Sequence, residues 1–140
     1  MQTFLPHKSF KESARALDYR RLGKQRVETW QIIQAMNGKT KGWVNHPATV
    51  MWRKYEFALT VYGIVICKEW IARGYKDSML ERFELHLEQL KQRKLFFEFP
   101  AWLGGQIHKT HQSNLLRKNP EYYKELFPDI PDNLDYYWPS

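Results

Sequence analysis

The sequence predicts an all-α protein, and three observations support that fold class. Apolar residues recur at intervals of three and four along most of the chain, which is typical of amphipathic helices. Capping patterns and Gly or Pro breaks separate these segments, and none alternates apolar and polar residues as a strand does. A content of 43% hydrophobic and 16% aromatic residues argues against disorder. We expect a single compact domain over residues 1–140, with about five to six helices around a buried central helix.

Two helices are predicted in the amino-terminal third. The capping-box pattern Ser9–Glu12 indicates a helix from about Lys11 to Leu17. A second, strongly cationic helix is expected over Arg20–Asn37, since Asn37-Gly38 is a typical helix end. Its core-facing stripe comprises Leu22, Trp30, Ile33 and Met36.

The middle of the chain contains the predicted central helix. It should begin near Pro47, which suits a first helical turn, and end at Gly74 after Arg73. Because this segment is apolar nearly all round, we expect it to be buried. Asp77 can cap a fourth helix over about Ser78–Phe96. The residues of that helix expected to face the core are Leu80, Phe83, Leu85, Leu87 and Leu90.

The carboxy-terminal part should contain a fifth helix from Pro100 to about Lys118. Asn119-Pro120 then restarts a short helix to about Phe127. Residues 128–140 form a proline- and aspartate-rich tail with three aromatic residues, which predict that the tail docks on the body of the domain.

Positive charge is concentrated near the start of the chain. The net charge is +7, and residues 1–54 carry eleven Lys or Arg against three Asp or Glu. Such a field favours nucleic acid or an anionic membrane surface. The longest apolar run, Phe57–Cys67, is too short to span a bilayer, and the start lacks a signal-peptide core, so we expect no membrane association. The single cysteine, Cys67, should be buried, which suits the reducing cytosol.

The most informative segment is Tyr19–Glu28. Its ten residues include four cations, a glutamine and one carboxylate. Arg21, Lys24 and Glu28 share the face opposite the apolar stripe, whereas the same register points Arg26 toward the apolar side. Two interpretations remain: a solvated face with a Lys24–Glu28 ion pair, or a polyanion-binding face that holds one carboxylate. Glu28 is the best candidate for a catalytic carboxylate by elimination, since Glu12 is explained by capping.

A polar helix face is predicted within His108–Lys118. Its members are His108, His111, Asn114 and Lys118. Hydroxyls, amides and basic groups hold phosphates, and an ordinary amphipathic helix is the alternative. Zinc needs three or four protein ligands, and the other histidines are scattered, so we expect neither a metal site nor a cofactor.

The segment Trp43–Arg53 combines aromatic rings with the polar groups of Asn45, His46 and Arg53. Such a set suits stacking on an extruded base and recognition of its edge. The alternative is that the two tryptophans belong to the core, which is the expectation for Trp52. No Ser-His-Asp arrangement, glycine-rich phosphate loop or Cys-x-x-Cys pattern is present.

Three segments between Met1 and Tyr123 together resemble the pyrimidine-dimer DNA glycosylase family, the endonuclease V type of phage, and more closely its bacterial relatives. These segments are Asp18–Leu22 with Arg26-Val27, His46-Pro47 with Trp52–Asp77, and His111–Tyr123. The resemblance implies a compact, endonuclease V-like helical enzyme that binds duplex DNA, kinks it and extrudes a nucleotide.

The resemblance also implies a mechanism. In that family the α-amine of the first residue attacks C1′ of the damaged nucleotide, displaces the base and leaves a Schiff base, and a glutamate supports this step and the β-elimination that follows. The family's glutamate follows the Tyr-Arg pair directly, where this sequence has Arg21, so the implied carboxylate is Glu28. Gln2 is a poor context for removal of Met1, so the amine is assigned to Met1, with a water activated by Glu28 as the alternative nucleophile.

We therefore expect a DNA glycosylase with AP-lyase activity that flips and removes a damaged or modified base. The alternatives are a base-modifying DNA enzyme on the same scaffold and a non-catalytic DNA-binding module. The expected partner is double-stranded DNA, and the protein should be a monomer in the cytoplasm, associated with the nucleoid or encoded by a phage. The residues expected to bind DNA are Arg20, Arg21, Lys24, Gln25, Arg26, Asn45, His46, Arg53, His108, His111, Ser113, Asn114, Arg117 and Lys118.

Overall fold

Seven α-helices and no strand form the protein in a computed structural model that describes residues 1–140. The prediction of an all-α fold is therefore confirmed. No helix is both long and apolar enough to pass through a bilayer. The helices are α1 (Phe10–Ala16), α2 (Tyr19–Met36), α3 (Pro47–Val50), α4 (Glu56–Ala72), α5 (Leu80–Gln92), α6 (Ile107–Lys118) and α7 (Pro120–Tyr123).

The core forms around α4, which packs against α1, α2 and α5. Leu59, Tyr62 and Ile66 of α4 are fully buried, and Cys67 is buried as predicted. Burial of a Leu or Ile side chain contributes roughly 1.5–3 kcal/mol. The apolar segment read from the sequence thus supplies the centre of the fold.

The bounds of α1 and α2 agree closely with the prediction, because both helices carry local stop or start signals. The Ser9 hydroxyl accepts the Glu12 N–H at 3.1 Å, as the capping-box pattern predicts. Gly38 follows α2 with a φ of 72°, a backbone conformation that glycine adopts without strain. The cationic segment therefore lies on α2.

The single long helix predicted over Pro47–Arg73 is wrong, because the chain turns between α3 and α4. Residues 51–54 form turns, and Tyr55 has φ −131° and ψ 41°, outside the helical region. The turn carries the Trp52 side chain into the core, where its indole N–H donates to Thr3 Oγ1 at 2.9 Å. The predicted end at Gly74 is confirmed by its φ of 94°.

Helix α5 is shorter than the predicted Ser78–Phe96. It ends at Gln92, and Lys94 turns the chain with a φ of 61°. The predicted core position of Leu85 is also wrong, since its side chain is 63% exposed. Leu85 lies two residues beyond the buried Phe83, which puts it roughly 200° away around the helix.

The carboxy-terminal part also departs from the prediction at its helix bounds. Residues 101–106 form turns, with Gly104 at a φ of 90°, so α6 begins well after Pro100. Helix α7 ends before the predicted Phe127, and the chain continues in turns. In the tail, Tyr136 and Trp138 pack against the core.

Candidate active site

The first residues of the chain form an extended arm that enters the interior. The Gln25 side chain of α2 brackets this arm: its Nε2 donates to the Gln2 carbonyl at 2.7 Å, and its Oε1 accepts the Phe4 N–H at 3.0 Å. The Tyr62 hydroxyl of α4 donates to the Phe4 carbonyl at 2.7 Å. The buried residues of the arm include Gln2, Thr3, Phe4 and Leu5.

Helix α6 holds the same arm from the other side. His111 Nδ1 accepts the Leu5 N–H at 2.9 Å, and His108 Nδ1 donates to the Leu5 carbonyl at 2.8 Å because its Nε2 accepts the Gly104 N–H. Burial lowers the pKa of His111 to about 3, with a smaller effect of His108, so its ring is neutral and can accept. The two histidines therefore hydrogen-bond to the arm, and the structure contains no group of three or more His, Cys, Asp or Glu side chains that could hold a metal ion.

This arrangement brings the start of the chain to Glu28. The Gln2 N–H donates to Glu28 Oε2 at 3.2 Å, and Met1 and Glu28 line one open cavity of about 410 Å³. We call this the cationic cavity, because its lining also includes Arg20, Arg21, Lys24 and Lys118. A carboxylate and the first residue of the chain thus lie together among four basic side chains, which is an environment suited to a nucleic-acid backbone.

The basic side chains of the cationic cavity differ in how they are held. Arg21 donates to Asp18 at 3.2 Å, which fixes its guanidinium at the start of α2. Arg20, Lys24 and Lys118 are exposed. The six ion pairs of the structure do not include Lys24 with Glu28, so the interpretation of this face as a solvated ion pair is not supported.

Two titratable groups feel the charges of the first residue or of Glu28. Tyr136 from the tail lines the cationic cavity, and burial, aided by the charge of Glu28, raises its pKa to about 12 against the opposing effect of Arg117 and Arg21. Its hydroxyl therefore stays protonated at neutral pH and can donate a hydrogen bond. The pKa of His46 is lowered by burial and by the positive charge at the start of the chain.

Arg26 does not reach the cationic cavity. Its guanidinium forms an ion pair with Asp77 and lies over the Trp70 ring, 4.5 Å from the centroid. Asp77 also accepts the Leu80 N–H at 2.7 Å, so this pair connects α2 to the start of α5. The sequence predicts Arg26 on the apolar side of α2, and this contact explains that position.

The other residues predicted to bind DNA on α6 hold the tail. Ser113 Oγ accepts the Leu134 N–H at 3.0 Å, and Asn114 Nδ2 donates to the Leu134 carbonyl at 3.1 Å. The Arg117 guanidinium donates to the Asp132 carbonyl at 2.7 Å. Of the polar α6 face, only Lys118 lines the cationic cavity.

The predicted residues near α3 lie outside the cationic cavity. His46 Nδ1 accepts the Ala48 N–H at 3.0 Å and caps α3. Arg53 donates to the Val44 carbonyl at 2.6 Å, and Asn45 is exposed.

A second cavity of about 520 Å³ adjoins the first. It shares Met1, Lys24 and Glu28 with the cationic cavity, and we call it the Trp43 cavity after the aromatic ring in its wall. Trp43 is 40% exposed, whereas Trp52 is fully buried. The alternative that both tryptophans belong to the core therefore fails for Trp43. The remaining residues of its lining are Gly23, Val27 and Gln31.

Sequence reasoning missed several residues of the two cavities. Gln31 and Val27 could have been found by continuing the Lys24–Glu28 face by one turn, since residues three and four apart share a helix face. Phe4 and Tyr136 carry no local signal, because they reach the cationic cavity from the arm and from the tail.

Comparison with known proteins gives one match. The sequence model of a family described as pyrimidine dimer DNA glycosylase matches residues 1–83. No curated protein and no solved structure matches the chain. The matched part contains the arm, α2 and Glu28, and it ends before Lys118 and the tail.

Proposed function

The chain belongs to the pyrimidine dimer DNA glycosylase family, and from this premise we propose that it excises a damaged or modified base from duplex DNA. In this proposal the α-amine of Met1 is the nucleophile and Glu28 is the assisting carboxylate. Arg20, Lys24 and Lys118 hold phosphates of the DNA backbone. The remaining predicted DNA ligands are left out, because their side chains are engaged within the protein or lie outside the cationic cavity.

The contact between the start of the chain and Glu28 carries the proposal. The Gln2 N–H lies 3.2 Å from the carboxylate, and Met1 lines the same open cavity. The residues after it are buried, and side chains from α2, α4 and α6 bond to the arm backbone. An amine held in this way meets its target without losing much further conformational freedom, which favours nucleophilic attack.

The proposed reaction begins with attack of the neutral Met1 amine on C1′. The N–C1′ bond forms as the bond from C1′ to the base breaks, and the base leaves with the electron pair and takes a proton from water. Glu28 accepts the proton released by the amine nitrogen and returns it to O4′ as the C1′–O4′ bond opens, which leaves a protonated Schiff base. The Glu28 carboxylate then takes a C2′ proton, and the electron pair of that C–H bond forms an enamine that breaks the C3′–O bond and expels the 3′ phosphate. Water hydrolyses the remaining Schiff base to release the amine.

The nitrogen closest to Glu28 belongs to Gln2. Removal of Met1 would turn this backbone N–H into the α-amine, 3.2 Å from the carboxylate. Met1 lines the same cavity, but its amine forms no ion pair with Glu28, so the amine of the processed chain would lie closer to the carboxylate; the reaction steps are the same for both forms. Peptide mapping of a covalently trapped adduct identifies which residue reacts.

Borohydride trapping on ultraviolet-irradiated duplex DNA tests the proposal. We expect a covalent adduct with the unmodified chain, and a loss of at least about 100-fold in trapping rate in Glu28→Gln, the size typical of a lost proton-transfer group. A two-residue extension before Met1 moves the amine by roughly 7 Å and should abolish trapping. Glu88→Gln is the control, because Glu88 is exposed on α5 and pairs only with Lys91 at the surface.

Two results would contradict the proposal, one concerning the nucleophile and one concerning base excision itself. If the extended chain cleaves DNA normally while Glu28→Gln does not, the nucleophile is a water activated by Glu28. If the unmodified chain yields neither an adduct nor a released base on a broad panel of damaged and modified duplexes, the excision proposal fails.

A further inference from the structure

The two cavities beside Glu28 have different chemical character. The cationic cavity presents Arg20, Arg21 and Lys118 beyond the shared residues. The Trp43 cavity instead adds an indole ring, an aliphatic side chain and an amide, from Trp43, Val27 and Gln31. Met1, Lys24 and Glu28 lie where the two cavities meet.

This order matches the order of groups in a nucleotide. Phosphate suits the cations of one cavity, the sugar suits the junction where Met1 and Glu28 lie, and a base suits an aromatic wall with an amide. We propose that the Trp43 cavity receives the base that is to be excised, with Trp43 as its stacking plane and Gln31 as the group that reads its edge. This inference rests on the function proposed above and assigns the base-recognition site, which that proposal leaves open.

Trp43 is held in place for stacking. Of the six tryptophans it alone is exposed, at 40%. Its ring packs edge-on against His46 at 5.2 Å between centroids, and His46 packs against Trp138 at 5.8 Å. His46 is also fixed as the cap of α3, so the Trp43 ring has a rigid support. A base can therefore stack on Trp43 without first ordering its side chain.

Gln31 is suited to recognise the edge of a base. It lies three residues after Glu28 on α2, so both side chains project from the same helix face. Its side chain is exposed, and an amide offers donors and an acceptor, the combination that reads a base edge. A base on Trp43 therefore has a polar partner on α2.

The cavity is large enough to take a nucleobase. Its volume of about 520 Å³ falls within the range of small-molecule sites, roughly 300–1,000 Å³. The predicted ligand is a single extruded nucleobase, damaged or carrying a substituent.

The test separates base recognition from the chemistry at C1′. Two duplexes are compared under single-turnover conditions: one carries the best base substrate, and the other carries a preformed abasic site, which has no base to stack. Trp43→Ala should lower base excision at least about tenfold more than it lowers trapping on the abasic duplex, as expected for loss of one stacked base. Gln31→Ala should change the ranking of bases in a substrate panel. Phe96→Ala, which removes a 79% exposed ring elsewhere, should change neither rate.

Each outcome bears on the inference. Equal loss on both duplexes, with an unchanged melting temperature, would mean that Trp43 acts on the backbone and not on the base. Excision within about twofold of the unmodified chain would remove Trp43 from recognition altogether. If the unmodified chain excises the base but gives no adduct on the abasic duplex, the amine mechanism fails while the excision rate of Trp43→Ala still tests the inference. If it neither excises a base nor gives an adduct, the inference fails together with the proposed function.

Discussion

Gln25 and His111 attach the first residues of the chain to the folded core by hydrogen bonds. Gln25 is 1% exposed and bonds to the arm at Gln2 and Phe4, while His111 is fully buried and accepts the Leu5 N–H. Each hydrogen bond of this kind contributes roughly 0.5–1.5 kcal/mol, and leaving its buried partner unpaired costs about 1–3 kcal/mol. The arm is therefore expected to keep its place when DNA is absent.

The buried ring of His111 should make stability depend on pH. Its pKa is about 3 in the folded protein and 6.5 as the ordinary value, so the unfolded chain binds a proton below pH 6.5 that the native state refuses. The histidine's stabilising contribution is thus complete above pH 6.5 and is lost as the pH falls toward 3. His111→Gln keeps an acceptor but does not titrate. We expect it to unfold with a lower free energy than the unmodified chain at neutral pH, and this difference should shrink on acidification by on the order of 1 kcal/mol per pH unit. Urea unfolding between pH 7.5 and 4.5 measures it, and a constant deficit would contradict the assignment.

Residue types alone did not reveal this role. Gln25, His108 and His111 were expected to bind DNA, since amides and imidazoles also hold phosphates. Their partners in the arm are 21 to 106 residues away in the chain, and no short sequence pattern predicts such contacts. Glu28 was predicted as a catalytic carboxylate by elimination among the few carboxylates of the basic amino-terminal third, which needs no knowledge of long-range contacts.

At the scale of secondary-structure elements, helix ends with a local signal were predictable and breaks made by tertiary contacts were not. Gly38 and Gly74 end α2 and α4 as expected, with positive φ. The turn between α3 and α4 depends on Trp52 entering the core and bonding to Thr3, which periodicity cannot detect because apolar residues occur on both sides of the turn.

Gly63 of α4 lies against the ring of Phe83 on α5. A Cβ atom there would overlap Cε1 of the buried Phe83, so the ring would have to move. Gly63→Ala should lower the free energy of unfolding by about 1–3 kcal/mol, because overpacking outweighs the gain in helix propensity of up to about 1 kcal/mol. Gly42→Ala is the control, since nothing lies within 4 Å of the added atom. Chemical denaturation compares the two, and an equal effect would mean that the ring yields without cost.

At the scale of the whole molecule, the sequence located the positive charge but not the surface on which it acts. The excess within residues 1–54 predicted an anionic partner. Folding then divides these cations, since Lys24 lines the cationic cavity whereas Arg26 pairs with Asp77. It also adds Lys118 from a distant helix. Net charge therefore overstates the number of groups that can reach a phosphate.

This division predicts which substitutions change the salt dependence of DNA binding. Each phosphate contact adds about 0.9 to the slope of log affinity against log salt concentration. Lys24→Gln and Lys118→Gln should each reduce the magnitude of that slope by about 1, and the double variant by about 2. Arg26→Gln removes the same charge and should leave the slope unchanged, although loss of its pair with the nearly buried Asp77 lowers stability. Titration of a lesion-free duplex at four salt concentrations gives the slopes. If Arg26→Gln alters the slope as much as Lys24→Gln does, the overall field and not the cationic cavity governs binding.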